Sequence, residues 1–457
     1  MQEGLLVPIA KFIVNTRFED IPESVIKATK VALADWVCVT MPGADMPVAQ
    51  DVKKFIEYRR REGKSVLFGS KETADPMSAA LFNGTASHAL DYDDCGHSVL
   101  GHPTVPVAPV AFALAQLLGL DGKDLMRTYL LGLEAECQIG RWTTPVLSQN
   151  GWHTTMAYGV LGAAAAAAAA YGLTEEQTVN ALAIAASRAG GLRSNFGTKT
   201  KALHAGLAAM SGLEAALLAK SGITGNPKAL EAQDGYFQCL AGPAPIKAED
   251  CEVNIGKFWD IVEVGLLYKQ YPCCSGSHPT NDVLDEFLRE RPLKLDDIER
   301  IHAGVSLLSP RELTCHRPTD CIQAKFSLEY AITARLLYGP IVVDTFTDEK
   351  VRNPEVQAFF EKIEYEIDDE LAKKYEFTEK APIKLDIWLK NGEHIFLERD
   401  MAYGNPEKPF TEEQRKRKFD NCLESCGCAS LIDPYWKTLC ELEKADAAAV
   451  AAFGVKP

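Results

Sequence analysis

The sequence predicts a mainly α protein: a large all-helical domain followed by a smaller α+β domain. Three observations predict it. Helical hydrophobic spacing dominates the chain from its start to about residue 265. After Pro272, helical stretches share the chain with alternating, strand-like stretches. The length of 457 residues exceeds what one hydrophobic core usually supports, so two domains are expected.

In chain order, helical patterns cover 21–39, 77–90, 105–118, 121–141, 156–171, 174–187 and 204–221. Gly172 and Gly222 stand where a left-handed C-cap would close a helix, and Thr174 is placed to N-cap the next one with Gln177 at the capping-box position. The alanine run 163–170 is apolar but too small-sided for a membrane span; it predicts a tightly packed helix. Short connections between these helices imply a compact bundle. Strand patterns follow at 301–308 and 363–367, and 383–397 alternates on both sides of Asn391-Gly392, a strong hairpin signal. Helical spacing returns at 411–422 and 434–453. The expected domains are therefore 1–267 (helical), 268–402 (small α+β) and 403–457 (C-terminal helices returning to the helical domain).

A hydrophobic fraction of 47% and a charged fraction of 24% are ordinary for a globular chain and argue against disorder. The net charge of −15 argues against nucleic acid or an anionic membrane as partner, yet leaves room for an anionic metabolite in a cationic pocket. No stretch combines about twenty apolar residues with the flanks of a span, and the N-terminus lacks a basic start and cleavage site, so a cytoplasmic protein is expected. Thirteen cysteines without an export signal read as thiols. Neither the Cys422, Cys426, Cys428 run nor the Cys273-Cys274 pair has ferredoxin spacing, so no metal is expected.

The densest polar cluster runs from Asn83 to Thr104 and holds Asp91, Asp93, Asp94, His88, His97 and His102. Such a set can place a carboxylate against an imidazole base; the plainer alternative is an Asp-rich turn capping the helix after Pro103. A second cluster, 194–206, opens a helix with Thr198, Thr200, Lys199 and Lys201, where backbone N–H groups and lysine would attract an anion; a solvated basic turn is the plainer alternative. His153 and His278 stand as single histidines, and Arg141, Arg193 and Arg317 as possible carboxylate partners.

These pieces together resemble the MmgE/PrpD family, which includes 2-methylcitrate dehydratase, cis-aconitate decarboxylase and iminodisuccinate epimerase. The resemblance lies in the Asn-Gly-x-Ala-x-His-x-Leu-Asp-Tyr-Asp-Asp…His-Pro segment from Asn83 to Pro103, in Gly151-x-His153, and in the Gly197 to Gly206 segment with Lys201 and His204. It continues in Lys269-x-Tyr271-Pro272, in Lys325-Phe326-Ser327 with Tyr330, and in Gly404-x-Pro406 with Lys418-Phe419. It implies a homodimer whose subunits carry a helical domain and an α+β lid with the active site between them. It also implies a cofactor-independent enzyme for a small polycarboxylate. Catalytic residues would be Asp91, His102, His153, Lys201 and His278, with Lys269, Tyr271, Thr200, His204 and Arg193 binding substrate.

Dehydration, decarboxylation and epimerisation of such acids all create a carbanion-like centre beside a carboxylate, which fixed cations and a tuned acid or base would stabilise. The expectation puts Lys201 and a neighbouring arginine on substrate carboxylates. His102 would transfer the proton with Asp91 orienting it, and His153 or His278 would act at the opposite face. Dehydration of a 2-hydroxy tricarboxylate ranks first, then dicarboxylate epimerisation, then decarboxylation. From other classes, an iron-sulfur hydratase and a noncatalytic solute-binding protein remain.

Overall fold

The computed structural model describes residues 3–59, 62–242, 246–375 and 380–457. Internal packing divides the chain into two compact units: Met1–Ala89, Asp93–Leu266 and Arg415–Pro457 form the first, and Leu90–Tyr92 with Leu267–Gln414 form the second. The short Leu90–Tyr92 segment and residues 403–414 thus group with the second unit, where the sequence reading placed them in helical regions.

The first unit is built from α1 (Leu6–Asn15), α2 (Glu23–Gly43), α3 (Pro47–Arg59), α4 (Pro76–His88), α5 (Thr104–Leu118), α6 (Gly122–Thr143), α7 (Val146–Gln149), α8 (Thr154–Tyr171), α9 (Glu175–Ala186) and α10 (Lys199–Lys220). It is not wholly helical: Ser65–Val66 pairs antiparallel with Thr73–Ala74. Local chemistry sets the helix ends. The Asp75 carboxylate accepts from the N–H groups of Met77 and Ser78 ahead of α4, with Pro76 in the first turn. Thr174 and Gln177 form the expected capping box on α9, and Gly172 closes α8 at φ +61°.

Small residues decide how closely the helices approach. Ala163 to Ala169 of α8 are buried, and the helix packs against α6, α10, α5 and α9. At the α4–α10 crossing, a methyl group on Gly206 would lie 2.2 Å from the Leu81 carbonyl oxygen, and one on Gly84 would lie 2.8 Å from Gly206 Cα. Both positions need a hydrogen in place of a side chain, and that requirement brings the C-terminal end of α4 beside the N-terminal end of α10. Helix α10 is also long and apolar enough to cross a membrane. It packs among α4, α8, α9 and α5 within the first unit.

The second unit contains α11 (His278–Glu290), α12 (Leu328–Tyr338) and a four-stranded sheet of β1 (Ile298–Val305), β2 (Ile363–Ile367), β3 (Ile383–Leu389) and β4 (His394–Arg399). The strand order is β2-β1-β3-β4, with β1 and β2 parallel and the other pairs antiparallel. Alternation along β3 buries Ile383, Leu385, Ile387 and Leu389, and the Asn391-Gly392 turn joins β3 to β4 as expected. Strand β1 starts and stops three residues earlier than expected, because Ser309–Glu312 forms a helical turn in which Pro310 occupies the first turn.

The chain ends with α13 (Glu412–Ser425), α14 (Ile432–Cys440) and α15 (Ala447–Ala451). The helix expected over 434–453 is broken because Asp446 accepts from the Ala449 N–H and starts a new helix. The preceding Ala445 carbonyl accepts from Gly122 N–H, which docks the break on the start of α6. Gly206→Ala is expected to lower unfolding stability by about 1–3 kcal/mol through overpacking against the Leu81 backbone, measured by urea denaturation. An unchanged midpoint and slope would show that the α4–α10 crossing yields without cost.

Candidate active site

Four buried histidines of the first unit converge from separate elements. His88 ends α4, His102 precedes α5, His153 stands at the N-cap of α8, and His204 lies in the second turn of α10. The His88 and His102 rings have centroids 4.5 Å apart, His88 and His153 are stacked at 5.7 Å, and His153 and His204 lie 5.1 Å apart. One row of imidazoles therefore connects the Asp-rich loop to α10.

Asp93 anchors one end of the row. Its Oδ2 is 3.0 Å from His88 Nδ1 and 2.9 Å from His102 Nδ1, and His102 Nδ1 is also 2.8 Å from the Asp94 backbone oxygen. A carboxylate and a carbonyl can only accept, so His102 Nδ1 carries a proton and, in the neutral ring, Nε2 carries the lone pair. His88 likewise donates from Nδ1 to the Asp93 carboxylate. Burial would raise Asp93, but the two imidazoles facing it hold it well below the usual carboxylate range. Burial lowers His88 to about 4, against the opposing pull of Asp93, so His88 stays neutral beside an ionised Asp93.

At the other end, His153 Nδ1 meets His204 Nδ1 at 2.9 Å. Burial, then His88 and Lys201, push His153 well below the ordinary histidine value, and burial and Lys201 lower His204. Phe196 serves as a hub: its ring packs edge-on against His153 at 5.0 Å, with Lys201 Nζ 5.2 Å and Arg193 Cζ 5.6 Å from its centroid. Arg193 Nη1 also donates to the Ser148 backbone oxygen at 3.2 Å. Thr198 caps α10 by accepting from Thr200 N–H, and Lys199 pairs with Asp51, so of the two lysines at this helix start Lys201 is the buried one. The Thr200 N–H, expected to face an anion, is thereby used within the turn.

Neighbouring acids divide their tasks. Asp94 accepts from the Thr104 hydroxyl, which is 2.8 Å from Tyr129 OH, and burial pushes Asp94 up to about 7. Cys95 Sγ lies 3.8 Å from His102 Nδ1.

The second unit gathers its own cationic group. Asp91 adopts φ +52°, a conformation costly for a residue with a side chain, and Lys269 Nζ holds it through both the backbone oxygen at 2.9 Å and Oδ2 at 3.0 Å. Lys325, also buried, donates to the carbonyls of Leu90 and Pro272 at 2.8 and 3.1 Å, and burial lowers it to about 8. Tyr271 OH donates to Asp282 at 2.9 Å and lies 3.3 Å from Asp285, so this hydroxyl, expected to bind substrate, serves a buried carboxylate pair. His278 Nε2 is 3.2 Å from the Cys273 carbonyl, and its ring packs edge-on against Tyr271.

The structure thus brings His102, His153, Lys201, His204 and Arg193 into one neighbourhood of the first unit, and Asp91, Lys269, Tyr271 and His278 into one region of the second. Asp93 Oδ2 stands beside His102 Nδ1, and Asp91, which the sequence reading gives the task of orienting His102, is held by Lys269. Arg141 is paired with Asp260 and Arg317 with Glu361. The sequence gives Asp93, His88 and Phe196 no individual role; the signal for them is their presence inside the two polar clusters. All thirteen cysteines are free thiols.

Comparison with known proteins follows the same division. The MmgE/PrpD N-terminal domain model matches residues 7–249, and the MmgE/PrpD C-terminal domain model matches residues 271–430. The chain is similar to cis-aconitate decarboxylase of Mus musculus, with 27% identity over 95% of this chain and 89% of the relative, and to that of Homo sapiens, with 28% identity over 92% and 88%. It is also similar to the mitochondrial 2-methylcitrate dehydratase of Yarrowia lipolytica, with 25% identity over 71% of this chain and 65% of the relative.

The raised Asp94 has a testable consequence. Between the unfolded value of 3.8 and about 7 the folded chain keeps a proton that the unfolded chain releases, so Asp94's contribution to stability falls as pH rises through that window. Asp94→Asn removes this dependence. Urea unfolding at pH 5 and pH 8 should show wild type losing more stability across the interval than the variant; equal losses would place Asp94 at an ordinary value.

Proposed function

This chain is an enzyme of the MmgE/PrpD family, and from that premise we propose that it is a lyase that decarboxylates a small unsaturated tricarboxylate such as cis-aconitate. The observation that carries the reading is the fixed Nδ1–H of His102, which makes Nε2 the working nitrogen and lets ionised Asp93 stabilise the imidazolium. Lys201 and Arg193, gathered around Phe196, supply cations for substrate carboxylates. As carbon dioxide leaves, the electron pair of the broken C–C bond moves into the remaining carbon framework, and His102 Nε2–H delivers one proton to that framework. For the second unit we propose that Lys269 and His278 take part, as the family resemblance implies.

Decarboxylation is placed first because the mouse and human decarboxylases align over about nine-tenths of their length. Dehydration of a 2-methylcitrate-like acid is the second reading, supported by the yeast dehydratase. It needs the same proton chemistry, with hydroxide as the group that leaves.

Incubation with cis-aconitate in deuterated water should release carbon dioxide and place one deuterium in the product. Addition of water across the double bond without carbon dioxide would favour the dehydratase reading run in reverse. His102→Ala and Asp93→Asn should each lower turnover by about 10² to 10⁴-fold with an unchanged circular dichroism spectrum. Near-full turnover in His102→Ala would remove that residue from the mechanism.

A further inference from the structure

The contact between His153 and His204 carries information beyond proximity. Two neutral imidazoles that share a hydrogen bond through Nδ1 and Nδ1, here 2.9 Å apart, must be opposite tautomers: one is protonated at Nδ1, the other at Nε2. His153 Nε2 is buried and meets no hydrogen-bond partner among the described residues. An orphaned N–H is rarer in protein interiors than an under-used acceptor, so the bare nitrogen belongs at His153 Nε2 and the proton at His153 Nδ1.

We propose that His204 is a positioning residue that accepts from His153 Nδ1–H, fixes the ring plane, and so presents His153 Nε2 as a lone pair. This rests on the lyase reading above and adds a division of labour to it. His102 and His153 then differ in what stands behind Nδ1: an ionised carboxylate for His102, a neutral imidazole for His153. The first arrangement stabilises a bound proton and the second does not. The groups around His153 act in the same direction: His88 from α4, His102 from the loop before α5, and Lys201 from α10 all oppose a positive charge on it, while Phe196 packs edge-on against its ring. His102 is thereby the proton donor. His153 is the acceptor, able to take a proton or hydrogen bond from substrate without storing the charge. Environments that push two titratable groups apart are a recognised way of separating acid from base.

Three variants at position 204 test the role. His204→Asn keeps an acceptor oxygen and should stay within about tenfold of wild-type kcat. His204→Phe removes the acceptor and should lower kcat by about 10 to 100-fold with little change in KM. His204→Asp puts a carboxylate behind His153 and should move the acidic limb of the pH–kcat profile upward. Selective ¹⁵N-histidine NMR supplies a readout independent of turnover: His153 should be the Nδ1–H tautomer in wild type and His204→Asn, and shift toward Nε2–H in His204→Phe. If His204→Phe keeps both the wild-type tautomer and the wild-type kcat, or if wild-type His153 is the Nε2–H tautomer, the proposal is overturned. Failure of the lyase reading would look different: no turnover of any polycarboxylate by wild type, with the tautomer assignments intact.

Discussion

One buried carboxylate organises the helical unit. Asp93 sits between His88 and His102: it accepts from His88 Nδ1, and its Oδ2 lies 2.9 Å from His102 Nδ1, which also donates to the Asp94 carbonyl, so this one loop fixes the orientation and tautomer of two imidazoles supplied by different elements. A charge buried this deeply is tolerated only when its acceptors are filled, and the two rings fill them. In return their Nε2 atoms become the basic ends. Asp94, the next residue, lives under the opposite rule: it has a hydroxyl donor rather than a facing cation and is pushed toward the protonated form. Adjacent aspartates in one loop are thus shifted in opposite directions, Asp93 down by the imidazoles it faces and Asp94 up by burial.

The imidazole row depends on backbones that approach closely. Gly84 and Gly206 let α4 and α10 touch, which places His88 at one helix end near Lys201 and His204 at the other. The alanines of α8 have a related effect on α6 and α10, and Gly212 meets the α8 backbone where a methyl group would lie 2.5 Å from the Val160 carbonyl oxygen. Rigid, nearly side-chain-free crossings suit a site whose rings must hold hydrogen-bond geometry, because packed helices resist small displacements.

Much of this was legible in the sequence, and the misses share a cause. Helix positions, the Thr174 capping box, the Asn391-Gly392 hairpin and the two polar clusters follow from local patterns, and the chain carries them plainly. The place of Asp93 beside His102 did not follow, because three aspartates lie within four residues and the turn after α4 decides which carboxylate reaches Nδ1. Phe196 reads as an ordinary apolar residue until Lys201, Arg193 and His153 are seen around it. The contact between His153 and His204 spans 51 positions of sequence and leaves no periodic trace. The sequence shows α10 as a helical pattern but not that its length and composition would let it cross a membrane; its small residues pack against other helices of the first unit.

The central claim is the protonation pattern imposed by Asp93. Neutron diffraction from a perdeuterated crystal near neutral pH reads it directly. The account predicts deuterium on Nδ1 of both His88 and His102, an ionised Asp93, and a bare Nε2 on His88. Deuterium on His88 Nε2 with a bare Nδ1, or on the Asp93 carboxyl, would contradict it.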